Sequence, residues 1–143
     1  MTLSEFYEST IVGVSASFGF SGFSCKPEEI TAFLQIEPSE VMVKGEARPI
    51  RGGLTIKTIE SSWYVESTEG SKDVNVHLRH LLSRIPTGNL PFPEQFGPPS
   101  FSVLWKGNYL YAGSGPFYES DVLIGIARLG AMLWQDIYQI DDD

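Results

Sequence analysis

The chain is poor in the residues that most often carry chemistry. Among 143 residues there is one cysteine, Cys25, and two histidines, His77 and His80. A single cysteine excludes an intramolecular disulfide and fits a reducing compartment. Basic residues are scarce too, ten against eighteen acids, so the formal charge is −8. A chain of that sign repels nucleic acid and anionic lipid at long range. No apolar run approaches the 18 or so residues that span a bilayer. Residues 1–9 carry two glutamates and no cation, unlike a secretory leader. These absences lead to the expectation of a cytoplasmic protein that binds neither membrane nor nucleic acid.

What is present is a globular balance. Hydrophobic residues make up 42% and aromatics 13%, enough to exclude a disordered chain. The length suits one domain, expected to span residues 1–143, with a core that needs no metal or disulfide. Charge is unevenly spread. Residues 1–40 sum to −5, residues 41–57 to +3, residues 58–106 to −1 and residues 107–143 to −5.

Periodicity gives the elements. From Ile11 to Phe20, Val12, Val14, Ala16, Phe18 and Phe20 alternate with small polar residues, as in a half-buried strand. Pro27, Glu28 and Glu29 open a helix that ends before Pro38, with Cys25 a weak capping candidate. Residues 40–53 are charged and glycine-rich and read as a long connection. Residues 54–65 read as strand with a break between Ile56 and Ile59. Ser71 or Asp73 caps a helix carrying Val74, Leu78, Leu81, Leu82 and Ile85. Five prolines in 86–99 mark a surface connection. Residues 101–105 and 109–112 flank Lys106-Gly107-Asn108 as a hairpin. Ser120-Asp121 caps a third helix that stops at Gly130, and 131–140 form a last strand. The expected fold is α+β, a single mainly antiparallel sheet with three helices packed on one face.

Several fragments occur together in a familiar order: Pro27-Glu28-Glu29-Ile30-Thr31, Leu34-Gln35-Ile36-Glu37-Pro38, Lys44-Gly45-Glu46, Trp63-Tyr64-Val65-Glu66-Ser67, the helix 73–85, and Leu129-Gly130 with Asp136-Ile137-Tyr138. From about residue 10 to residue 140 the chain resembles the bacterial family DUF4279, a domain of unknown function. The resemblance implies a small intracellular bacterial domain and brings no catalytic residues. Domains of this size sometimes serve as immunity proteins that neutralise a toxin.

No catalytic constellation emerges. His77 and His80, three apart on a helix, lack the third and fourth ligands that zinc requires, so no metal or other cofactor is expected. Cys25 lies at a helix start beside Lys26, a setting that lowers a thiol pKa, but no histidine is near in sequence. Gly113-Ser114-Gly115-Pro116 does not match a phosphate loop. Glu28 with Glu29, and Glu66 with Glu69, are adjacent rather than convergent carboxylates.

Two functional classes therefore remain. One is a non-enzymatic protein-interaction module, such as an immunity-type inhibitor that captures a basic toxin. The other is a small-ligand-binding or regulatory domain using an uncovered aromatic sheet face. The candidate contact residues are Glu37, Glu40, Tyr109, Tyr111, Asp136, Asp141, Asp142 and Asp143, the acids forming one region if the chain ends meet. Trp63 and Glu66 are expected to be structural. The oligomeric state stays open between monomer and dimer.

Overall fold

A computed structural model describes Thr2, residues 11–108 and residues 115–140. Strand β1, Ile11–Ser21, is the middle of the main sheet. Its alternation is the one the sequence carries, with one departure. A bulge between Ile11 and Gly13 shifts the register, so Ile11 is buried and Val12 is 59% exposed. Below the bulge Ala16, Phe18 and Phe20 point into the core as expected.

Helix α1, Pro27–Leu34, starts with proline and two acids in its first turn, where the free N–H groups favour negative charge. Lys26, not Cys25, is the N-cap, and its N–H donates to the Glu29 carboxylate at 2.8 Å. Ile30 and Leu34 turn inward.

The stretch 40–57, expected as a connection and then strand, contains three short strands: β2, Glu40–Met42, β3, Ala47–Pro49, and β4, Thr55–Lys57. β3 and β4 pair antiparallel as a separate two-stranded sheet. The expected break follows, and β5 runs Ser62–Glu66.

Helix α2, Val74–Arg84, is capped by Asp73, whose Oδ1 accepts the Asn75 N–H at 2.9 Å. Asn75 is buried. Its Nδ2 donates to the Phe117 carbonyl and its Oδ1 accepts the Glu119 N–H. That amide fixes the entry to helix α3, Ser120–Arg128, so the N-cap is Glu119 rather than Ser120. Arg79 adds an exposed clamp, bonding Glu119 and both carboxylate oxygens of Asp121. Those bonds hold the Asp121 carboxyl below its ordinary pKa and the guanidinium above its own. Gly130 closes the last helix with φ +66°, a left-handed conformation that glycine adopts without strain.

Strand β6, Pro99–Gly107, is longer than expected. Lys106 and Gly107, expected as a turn, stay in the sheet, because Gly107 leaves space for the Trp105 ring, 2.4 Å from where a Cβ would stand. The expected return strand 109–112 lies outside the described residues. Strand β7, Met132–Gln139, pairs with β6 in parallel. The sheet order is β2-β5-β1-β6-β7, antiparallel except for that last pair.

The fold is α+β: among the described residues it has three α-helices, a mainly antiparallel five-stranded sheet and a small second sheet. One buried cluster joins Phe18, Trp63, Phe101 and Trp105 from the strands to Ile30, Leu78 and Val122 from the helices.

Candidate interaction surface

Side chains alternate across a strand, so the residues between the core positions share the opposite sheet face. On β1 these are Ser15, Ser17, Gly19 and Ser21; on β5, Ser62, Tyr64 and Glu66. On β6 they are Ser100, Ser102, Leu104 and Lys106, registered against Met132, Trp134, Asp136 and Tyr138 of β7. Small side chains on the central strands leave a trough. It holds two adjoining depressions of about 270 and 210 Å³, which share Ser17 and Ser102.

The trough floor is kept low by Gly19. A Cβ there would stand 2.2 Å from the Trp63 carbonyl oxygen and 2.7 Å from Tyr64 Cβ. On the β5 side, the Tyr64 hydroxyl donates to the Glu40 carboxylate. That bond, then burial and the charges of Glu40 and Glu66, push the phenol pKa up to about 12. Glu66 is exposed, and its N–H donates to Ser39 Oγ at 2.8 Å. On the β7 side, Met132, Trp134 and Tyr138 are 47%, 64% and 54% exposed, with Asp136 between the two aromatics. Exposed aromatic side chains on a shallow surface are typical anchors for a protein partner.

The candidate residues are distributed rather than gathered. Glu40 is on β2 and Asp136 on β7, at opposite edges of the sheet. Four strand spacings, about 19 Å, separate those edges. Glu37 borders a third depression, of about 450 Å³, between α1 and the start of β2. Tyr109, Tyr111, Asp141, Asp142 and Asp143 lie outside the described residues. Trp63 is wholly buried.

Residues weighed for chemistry have structural partners. His77, expected at a helix edge, is buried. Its Nε2 faces the Ser71 carbonyl at 2.6 Å, which can only accept, so Nε2 carries the proton; Nδ1 meets Ser67 Oγ at 2.9 Å. The loop ahead of α2 thus closes over the ring. His80 meets Glu69 and Thr68 of the same loop, each at 3.4 Å. Among the described residues no three of His, Cys, Asp and Glu come together as a metal site. The Cys25 thiol is pushed up in pKa, by burial first and then by the Glu29 charge. The lowering expected from Lys26 and the helix start does not prevail, because burial first, and then the Glu29 carboxylate folded back over the cap, disfavour the thiolate.

The exposed Trp134 and Tyr138 carried a usable sequence signal. They alternate with Leu133 and Ile137, which pack against the core. The Tyr64–Glu40 pairing, in contrast, is not visible without the sheet order.

Among the described residues, no helix is long and apolar enough to cross a membrane. A search of curated proteins gives no match. Nor does any solved structure match the chain. The profile of the domain of unknown function DUF4279 matches residues 10–92, which takes in β1 through α2 and the β5 side of the trough. With more than half of its length matched, the chain belongs to the DUF4279 family.

Proposed function

We propose that this chain is a non-catalytic, cytoplasmic protein-interaction module whose open sheet face docks a basic partner protein, as an immunity-type inhibitor docks a toxin. In this reading the three helices cover the other face of the sheet, which leaves the serine-lined face to the partner. The observation that carries it is the row Met132, Trp134, Asp136 and Tyr138, three large side chains and an acid exposed on one strand. Tyr and Trp supply rigid contact area at small entropic cost. The net charge of −8 favours encounter with a basic protein.

A second reading, a small-ligand or regulatory domain using the same face, draws on the depression of about 270 Å³ beside Tyr64. Drug-sized pockets run to roughly 300–1,000 Å³ and bury most of their ligand. The two shallow depressions favour the protein partner.

The test is a photo-reactive residue placed at position 134 or at position 123, on the exposed side of α3, and expressed in the native host. The reading expects a discrete adduct from position 134, identified by mass spectrometry as a basic protein, and none from position 123. The purified partner should then bind Trp134→Ala at least about 30-fold more weakly, the loss of roughly 2 kcal/mol typical of a hot spot. Adducts from position 123 alone would contradict it.

A further inference from the structure

The hairpin β3–β4 has the opposite character to the rest of the chain. Residues 41–57 carry Lys44, Arg48, Arg51 and Lys57 against Glu46 alone. Arg48 pairs with Ile56, and the Ile50 N–H donates to the Leu54 carbonyl. The alternation puts Arg48, Ile50, Leu54 and Ile56 on one side of the hairpin. That side is open: Ile50, Leu54 and Ile56 are 39%, 65% and 39% exposed. A two-stranded hairpin is marginal by itself in water. Here its base is held by the Gly45 N–H to the Thr58 carbonyl and the Thr58 N–H to the Glu46 carbonyl. Contiguous apolar exposure with a polar rim marks an interaction site.

Arg48 is the cation on that apolar side, and Arg51 stands in the turn at the hairpin tip. The complement of an apolar surface carrying a cation is an apolar surface carrying an acid. This chain presents one, where Trp134 and Tyr138 flank Asp136 on β7. The hairpin directly follows β2, at the far edge of the sheet, about 19 Å from β7. Its own β7 is therefore across the sheet, whereas that of a second copy is not so constrained. We propose that the basic hairpin of one copy docks on the β7 side of the open face of another. The inference rests on the reading of that face as a docking surface and adds a specific occupant. Such contacts are head-to-tail and close into a dimer only if the two copies exchange hairpins reciprocally. The docked hairpin would also cover the face until a tighter partner displaces it.

Sedimentation velocity on the full chain tests this. At low salt the wild type should show a species heavier than the monomer that grows with concentration. It should dissolve in about 1 M salt, where the screening length falls to about 3 Å. Arg51→Glu and Asp136→Lys, both at exposed positions, should each weaken association at least about tenfold, as like charges meet. An equimolar mixture of the two variants should restore the heavier species, because each supplies the half that the other lacks. Circular dichroism checks that both variants fold. A wild type that stays monomeric throughout overturns the proposal, as does Asp136→Lys associating normally. A monomer that pellets with anionic vesicles through Arg51 would give the hairpin to a membrane instead, and overturn it too. If the chain is monomeric while position 134 still crosslinks a basic protein, this inference fails and the docking face stands. If the chain associates as described but position 134 captures no other protein, the self-contact stands without the heterologous partner.

Discussion

Trp63 and Thr31 meet at the edge of the core: the indole Nε1–H donates to Thr31 Oγ1 at 3.0 Å. This bond ties α1 to β5 and satisfies the one polar atom of a side chain that is otherwise wholly buried. It also fixes which side of β5 faces inward, and hence that Tyr64 and Ser62 face outward. The trough is in this sense a consequence of where Trp63 packs.

Trp63→Ala should therefore cost about 3–5 kcal/mol in unfolding free energy, from lost burial and the cavity left behind. Thr31→Val keeps the shape and leaves the indole N–H unpaired, for a cost of about 1–3 kcal/mol. Chemical denaturation measures both. A change below about 1 kcal/mol for Trp63→Ala would mean that the indole is not a core group.

Gly19 makes the next prediction. Its absent Cβ would meet backbone, the Trp63 carbonyl, rather than a side chain able to move. Gly19→Ala should force β1 and β5 apart and cost about 1–3 kcal/mol or more. Gly13, with nothing within 4 Å of its Cβ position, is the control, and Gly13→Ala should stay within about 0.5 kcal/mol. Equal melting shifts for the two variants would contradict the close approach.

Much of this was legible in the sequence, and the failures have physical causes. The alternation Val14 to Phe20, the Asp73 cap and the Gly130 stop were readable because each is a local preference that the fold obeys. The bulge that exposes Val12 in place of Ile11 was not, since a one-residue shift leaves no mark on composition. β3 was hidden because both its faces are exposed, and a strand with no buried face has no period. Lys106-Gly107 has turn chemistry, but the Trp105 ring needs the glycine within the strand. The surface was legible in its residue types and not in its geometry. Whether Glu40 and Asp136 meet depends on strand order, which no local pattern encodes.

Tyr64 provides a pH test. Its pKa is raised in the fold, to about 12 against an unfolded value of 10. Its folded form therefore favours the neutral phenol. The stabilisation from this group is fully present below pH 10 and is lost as pH rises from 10 through about 12. Subtracting the phenolate absorbance titration of Tyr64→Phe from that of the wild type should isolate a midpoint near 12. Glu40→Ala removes the main cause and should bring the midpoint down towards the ordinary tyrosine value. A midpoint indifferent to Glu40→Ala would show that the pairing does not hold the proton.

The proposed docking depends on which face of the molecule a basic partner would meet. Hydroxyl-radical footprinting, with the basic protein captured at position 134, measures this directly. Trp134, Tyr138 and Met132 should be oxidised readily in the free chain and protected in the complex. Phe117, Leu123 and Ile124, also exposed and outside β7, should react equally in both. Protection of Phe117, Leu123 and Ile124 with β7 unchanged would put the partner on and around α3 and contradict the proposed docking face.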